Sequence, residues 1–541
     1  MKPPVLEVAD LRVTIGAVQP VAGVSFSLAA GEVLGIVGES GSGKSMTSLA
    51  VMGLTPDSAS LSGSVHLEGT QILGLGERAL RPLRGAKMGM IFQEPMTALN
   101  PLMTIGAQVA ETIRLHRPVT RAEALEEAAR ALARAGLPKE KFPLGRYPHE
   151  LSGGQRQRVA IAIATALRPR LLIADEPTTA LDVTTQAQIL KLLSDLVEED
   201  GAGLILISHD LGVVAGCADK VLIMRQGKVV EAGSAGAVLG APASDYGRRL
   251  LADARLAEAP PPAPPAEAEE VLCVQDLVRT YPQARGGRAQ GARTNAVDGV
   301  SLSVRAGETV GIVGESGSGK STLLRAILGL DRPQAGRVRL MGETFPSPAP
   351  GAERAQRRAI QAVFQDPFGS FDPRWTVEKL VAEPFHLLPR PPGPAERRAR
   401  VVAMLRRVGL DESAASRYPH QFSGGQRQRI AIARALVTEP RLVVLDEAVS
   451  ALDVTVRARI LELLARLSRD LGVAYLFVTH DMTVVRAICH RVLVMKDGKV
   501  VEEGDTAAIF DSPAHPYTRE LLAATPDIEA GLSRTPRLAP A

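Results

Sequence analysis

The chain has 541 residues, 45% of them hydrophobic and 23% charged, which is the composition of a folded globular protein at a length of about three or four ordinary domains. Its net charge of +4 is too small to point to a nucleic-acid partner, which needs clustered Lys and Arg. Cys217, Cys273 and Cys489 have neither CxxC spacing nor a His motif beside them, so neither a zinc site nor a disulfide framework is expected, and no run of 18 apolar residues offers a membrane span.

The N-terminus opens MKPPVLEVADLRV, strand-like alternation where a signal peptide would show a continuous apolar stretch. The run VLGIV then leads into GESGSGKS, formed by Gly38, Glu39, Ser40, Gly41, Ser42, Gly43, Lys44 and Ser45, and a helical pattern follows. G-x-x-x-x-G-K-[ST] between a strand and a helix is a phosphate-binding loop. Its glycines turn backbone N–H groups toward phosphate oxygens, its Lys reaches the terminal phosphates and its Ser offers a hydroxyl to Mg²⁺. Gln93 follows the next strand pattern, where a Mg²⁺ or water contact is expected. RAEALEEAARALARAG, from Arg121 to Gly136, predicts a helix within an inserted helical subdomain.

LSGGQ, from Leu151 to Gln155, opens another helix, whose bare N–H groups can grip an anion. The apolar run LLIA then ends in Asp175 and Glu176. The Asp suits a hard cation beside phosphates and the Glu can take a proton from an attacking water. His209 ends the run LILIS and is expected to contact the γ-phosphate and hold that water.

ARLAEAPPPAPPAEAEE, residues 254–270, cannot build a core. Its Pro-rich centre predicts an extended spacer of about 3.1 Å per residue, so these 17 residues could span roughly 50 Å. Beyond it everything returns. The octapeptide recurs unchanged as Gly314, Glu315, Ser316, Gly317, Ser318, Gly319, Lys320 and Ser321 at an offset of 276, Gln93 as Gln365 at 272, and SGGQRQR, the acid pair (Asp446, Glu447) and the His (His480) all at 271. A period this long means duplication of a whole domain rather than a solenoid unit. Strands alternating with helices in each copy predict an α/β core with a mostly parallel sheet.

This motif set, with ALD at Ala180 to Asp182 and Ala451 to Asp453, resembles the ABC-type ATPases over nearly all of both halves. The resemblance implies tandem P-loop NTPase domains. Each would have a RecA-like parallel-sheet core, an antiparallel β subdomain and an inserted helical subdomain, at residues 5–253 and 271–524, with a C-terminal tail at 525–541. It also answers the doubling, because in this family the signature of one domain closes over the nucleotide on the other's phosphate loop. One site should then join Lys44, Ser45, Asp175 and Glu176 to Ser423, Gly425 and Gln426, and the other should join Lys320, Ser321, Asp446 and Glu447 to Ser152, Gly154 and Gln155. The implied cofactors are ATP and Mg²⁺, the latter held by Ser45, Gln93 and Asp175 and by Ser321, Gln365 and Asp446. The implied catalytic residues are Glu176, Glu447, His209 and His480. The family's adenine-stacking aromatic is matched by Tyr281, whereas the first half has Ile15 there. DEPTTALD in the first half against DEAVSALD in the second leaves the acids untouched, so modest consequences are expected.

QEPMTALNP, QDPFGSFDP and the late SPAHPYTRELL, from Ser512 to Leu522, resemble the oligopeptide, dipeptide and nickel import ATPases, here as two subunits fused in the manner of glutathione-import and peptide-import ATPases. The first half's APASDYGRRLL lacks the HPYT core. The resemblance implies a peripheral ATPase on the cytoplasmic face of the inner membrane that drives import of a peptide-like solute. Its expected partners are two separate permease subunits and, indirectly, an extracytoplasmic solute-binding protein. The competing reading is a soluble tandem ATPase acting on ribosomes or DNA, but the short Pro-rich linker and scattered cysteines favour import. RGGRAQGAR, from Arg285 to Arg293, and PAERRARVVAMLRR, from Pro394 to Arg407, are read as solvated loop and helix faces, since neither carries aromatics on which bases could stack. The resemblance implies that the binding protein and the permeases, rather than this chain, select the solute.

Overall fold

The structure is a computed structural model and describes residues 4–93, 98–179, 181–255, 267–285, 288–347, 349, 351–450 and 452–533. Most of the spacer, part of QEPMTALNP, both ALD alanines and the last eight residues lie outside the described residues.

Each half holds two sheets built in the same strand order. In the first, Val33–Val37 is buried at every position because it lies inside a six-stranded sheet, between Gly203–Ile207 and Lys220–Arg225. A strand covered on both faces reads as an unbroken apolar run, which VLGIV is. Leu171–Asp175 and Met88–Ile91 extend the sheet in parallel on one side, and Lys228–Ser234 closes the other side antiparallel. The second half repeats this order from Ile360–Val363 to Lys499–Asp505, with Thr309–Val313 in the central place. A separate four-stranded antiparallel sheet covers each half, Pro4–Ile15 pairing with Val18–Ala29 and Ala59–Leu67 in the first, and Glu270–Arg285 pairing with Arg288–Arg305 and Ala335–Leu340 in the second.

The predicted amphipathic helix is Arg121–Arg134. It starts at Thr120 in a capping box with Glu123 and buries Ala124, Ala128, Ala131 and Leu132 on one face. PAERRARVVAMLRR is likewise one helix, with Val401, Val402, Met404 and Leu405 turned inward. Of RGGRAQGAR, expected to be a loop, Arg285 and residues 288–293 belong instead to the paired strands Glu270–Arg285 and Arg288–Arg305, with Arg285 opposite Arg288. The strands on either side continue their antiparallel pairing into the basic stretch.

The C-terminal segment ties the halves together. The helix Ile528–Leu532 lies on the first half's helix Leu211–Cys217, and Ile528 joins the apolar cluster of Leu211, Val214, Tyr246 and Leu250. Contact there is close enough that a Cβ on Gly531 would come within 2.8 Å of the Ala215 carbonyl carbon, and one on Gly212 within 2.9 Å of Pro526.

Candidate functional site

Each phosphate loop runs from the C-terminal end of the central strand into a helix, Lys44–Met52 in the first half and Lys320–Ile327 in the second. The N-cap positions are Gly43 and Gly319, and no side chain caps either helix, so the leading N–H groups keep their partial positive charge for an anion. Gly38 has φ +149° and Gly314 φ +152°, and a Cβ on either would stand 2.2 Å from the carbonyl oxygen of Met224 or Met495. Only glycine lets the loop pass that close. Lys44 Nζ donates to the carbonyls of Gly38 (2.7 Å) and Glu39 (2.9 Å), and Lys320 Nζ to those of Gly314 (2.7 Å) and Glu315 (2.8 Å). Burial pushes both ammonium groups down against the pull of the acid pairs, Glu176 and Asp175 near Lys44, Glu447 and Asp446 near Lys320.

The acid pairs close the strands Leu171–Asp175 and Leu442–Asp446. Glu176 and Glu447 take left-handed φ values of 48° and 46°, and each N–H donates to the neighbouring strand's last carbonyl, Ile207 or Val478, at 2.9 Å. This turns each Glu away from its Asp. Glu176 Oε2 accepts from Gln93 Nε2 (2.9 Å) and Thr179 Oγ1 (2.9 Å) and lies 3.2 Å from His209 Nδ1. In the second half Glu447 Oε2 accepts from Gln365 Nε2 (2.7 Å), and Oε1 lies 3.3 Å from His480 Nδ1. Burial alone would raise the Glu176 carboxyl, but its bond with His209, the charge of that ring and the Thr179 hydroxyl outweigh it and hold the group at about 2. Glu447 is also lowered, by His480 against burial, and His480 is raised by that carboxylate despite its own burial. Gln, Glu and His from three separate stretches of sequence thus meet in each half.

The Asp members behave differently. Burial raises Asp175 against the opposing effect of the Ser45 hydroxyl beside it, and raises Asp446 to about 6, with the Glu447 charge adding to the effect. Asp175 Oδ1 is buried without a hydrogen-bond partner among the described residues, as is Ser42 Oγ on the loop. A buried carboxylate oxygen without a partner, next to a hydroxyl at the phosphate loop, is a donor set that fits a small hard cation. Gln93 and Gln365, grouped with the cation ligands on sequence, are bonded here to the Glu carboxylates.

Each signature is a capping box. Ser152 Oγ accepts from Gln155 N–H (3.3 Å) while Gln155 Oε1 accepts from Ser152 N–H (3.0 Å), and Ser423 and Gln426 repeat the exchange. Gly154 and Gly425 press against the helix after their own ALD, so that a Cβ on either would stand 2.4 Å from Thr185 Cγ2 or Val456 Cγ1. The Asp that caps that helix reaches across to the other half. Asp453 Oδ2 accepts from Ser40 N–H of the first phosphate loop at 3.5 Å, and Asp182 stands beside the Ser316 N–H of the second. Thr184 Oγ1 adds a bond of 2.7 Å to Glu315 Oε1. A cavity of about 380 Å³ runs between the halves and is lined by Glu176, His209, Arg457, His480 and Asp481 among others.

Tyr281 is 36% exposed, its hydroxyl donates to Asp331 Oδ2 (3.0 Å), and the Arg279 guanidinium lies over one ring face at 4.6 Å. Two contacts escaped sequence reasoning. The Thr179 position is Ser450 in the second half, whose hydroxyl bonds the Glu447 backbone carbonyl (2.9 Å) rather than the carboxylate. Arg457 Nη1 bonds Asp481 Oδ2 at 2.5 Å, where the first half has Gln186. Both differences stand at the 271 offset and could have been found by comparing the halves residue by residue.

The ABC transporter family model matches residues 21–179 and 297–450, and the model of the oligopeptide/dipeptide transporter C-terminal region matches residues 501–540. This chain belongs to the ABC transporter ATP-binding proteins. It is 48% identical over 547 aligned residues, 95% of this chain and 88% of the relative, to the glutathione import ATP-binding protein GsiA of Shigella sonnei (strain Ss046), with the same figures for that of Escherichia coli (strain K12). Among solved structures, the dimeric post-hydrolysis state of the ATP-binding cassette MJ0796 bound to ADP and Pi is 33% identical and covers 43% of this chain and 98% of that one, with a TM-score of 0.39. As an ABC transporter ATPase the chain binds ATP, and no helix among its described residues is long and apolar enough to cross a membrane.

Proposed function

We propose that the chain hydrolyses ATP at two sites, each assembled from both halves, and thereby drives import of glutathione or a similar small peptide through two separate permease subunits. The observation that carries the two-site reading is contact across the halves in both directions, Asp453 on the Ser40 amide and, in return, Thr184 on the Glu315 carboxylate with Asp182 beside the Ser316 amide. Each phosphate loop meets the other half beside that half's signature, because Gly425 packs on Val456, three residues beyond Asp453, and Gly154 packs on Thr185, three beyond Asp182. Ser423 with Gly425 then faces the nucleotide on Lys44 and Ser45, and Ser152 with Gly154 faces the one on Lys320 and Ser321.

At each site Ser45 and Asp175, or Ser321 and Asp446, would hold Mg²⁺, which would neutralise phosphate charge. The loop N–H groups and the Lys bind the phosphates. Glu176 or Glu447 takes the proton of the attacking water, and His209 or His480 holds that carboxylate in place. At about 2, Glu176 is too weak a base while His209, Thr179 and Gln93 all share it, so loss of some of these bonds is what would prepare it for proton transfer. Glutathione as the solute is supported by the 48% identity to proteins of that name, and the peptide class by the C-terminal match. We place the chain on the cytoplasmic face of the membrane, with a solute-binding protein acting on the far side. Co-purification with its permeases in proteoliposomes tests this reading. Glutathione presented by the binding protein should raise ATP turnover several-fold, and a dipeptide or Ni²⁺ that does so in its place would reassign the solute.

A further inference from the structure

We propose that Tyr246 and Tyr517 are positioning residues that fix the first peptide unit of each phosphate loop, a task for the C-terminal region of each half that no sequence motif states. Tyr517 lies in the HPYT element and Tyr246 at the same place, 271 residues earlier, in a stretch that lacks that element. Both are buried, at 3% and 6% exposure. The Glu315 N–H donates to the Tyr517 hydroxyl at 2.9 Å and the Glu39 N–H to that of Tyr246 at 3.3 Å, across 202 and 207 residues of sequence. The carbonyl of the same peptide unit, Gly314 or Gly38, is the one that accepts from Lys320 or Lys44 at 2.7 Å. The two ends of a trans peptide point in opposite directions. Each tyrosine therefore grips the back of the unit whose front holds the phosphate-binding lysine, and bonding at one end polarises the other.

The next N–H along is that of Ser40, which donates to Asp453 of the opposite half, or that of Ser316, which stands beside Asp182. With Glu315 and Glu39 anchored, those amides are presented to the crossing contact. The tyrosines are themselves held. Lys496 lies over the Tyr517 ring at 4.5 Å and Arg225 over that of Tyr246 at 4.8 Å. Glu502 accepts from the amides of Ala514 and His515 ahead of Tyr517, and Glu231 from those of Ala243 and Ser244 ahead of Tyr246. Two different sequences, HPYT and SDYG, thus converge on one hydroxyl in one place, which packing of the ring alone would not require.

The inference rests on the phosphate loops being the ATP sites, and the test separates the two ideas. Tyr517→Phe in the full chain keeps the ring and removes only the acceptor. Deuterium exchange of the stretch 312–320 should quicken about tenfold or more, with exchange in Pro516–Ala524 and the thermal midpoint unchanged. In the Lys44→Ala protein, whose intact loop is the second, Tyr517→Phe should weaken ATP binding about 3- to 10-fold, the scale of one hydrogen bond. Tyr246→Phe should do the same to the stretch 36–44, and to ATP binding in Lys320→Ala. Unchanged loop exchange, unchanged affinity, or faster exchange spread through Pro516–Ala524 with a lower midpoint would each overturn the proposal. If Lys320→Ala and Lys44→Ala together leave ATP binding intact, the phosphate-loop reading falls instead.

Discussion

Replacing Glu447 with Gln changes one charge and almost no volume. The Gln can keep its carbonyl oxygen on Gln365 Nε2, which stands 2.7 Å from the carboxylate, and present its amine to His480 Nδ1, 3.3 Å from the other oxygen. All partners stay satisfied once His480 is neutral, so the stability change should be within about 1 kcal/mol. His480 is raised by the Glu447 carboxylate and should therefore drop toward its ordinary value. Catalysis behaves differently, because an amide cannot accept the water's proton. Loss of a general base costs about 10² to 10⁴-fold, or about 3 to 5 kcal/mol of barrier. Phosphate release should fall by that factor in Glu176→Gln/Glu447→Gln, while ATP binding stays within a few-fold and the thermal midpoint moves by a degree or two. The double variant should also hold ATP trapped between the halves. Turnover within threefold of the parent would refute the assignment, and so would a loss matched by a large fall in midpoint.

Gly425→Ala should weaken the second signature's grip by about tenfold, because its Cβ would stand 2.4 Å from Val456 Cγ1, and Val456→Ala in the same chain should restore ATP turnover if that clash is the cause. If adenine stacks on Tyr281, over whose ring Arg279 already lies, the Lys44→Ala protein should bind ATP more tightly than Lys320→Ala and lose about tenfold or more on Tyr281→Ala; equal affinities, indifferent to Tyr281, would remove the asymmetry. Arg457→Gln leaves Asp481 without its ion pair and should cost roughly 2 kcal/mol, below the range for a fully buried pair because both side chains keep some solvent contact. Asp481 is depressed in the folded protein, by Arg457 against the rise from burial, so its contribution is complete above about 3.9 and is lost as pH falls through the folded value. The gap in denaturation free energy between the parent and Arg457→Gln should therefore close on acidification, and a gap independent of pH would contradict the pairing.

What local sequence could reveal was what local chemistry dictates. The octapeptides, the strands before them and the helices after them follow from glycine geometry and apolar runs, and the shared 271 offset marks Glu and His as groups around the attacking water, whereas the Gln, at an offset of 272, reads from sequence as a cation or water contact. Contacts that join remote backbone to a side chain were not legible. The Tyr517 hydroxyl on the Glu315 amide has no periodic or compositional signature, and loss of HPYT in the first half concealed that Tyr246 keeps the position. Nor does the pattern DEAVSALD reveal that Ser450 turns its hydroxyl to a backbone carbonyl where Thr179 faces the carboxylate. Such choices are made by rotamers in a packed neighbourhood. The same holds for Ile528–Leu532, whose burial depends on a helix from the opposite half.

The central claim, that each ATP site is built from both halves, is tested most directly by counting trapped nucleotide in paired variants of Glu176→Gln/Glu447→Gln. In that background two ATP should be occluded per chain. Lys44→Ala with Ser423→Arg damages one proposed site twice and should leave one ATP trapped. Lys44→Ala with Ser152→Arg damages each site once and should leave none. The reverse pattern, or the same count from both pairs, would contradict the account.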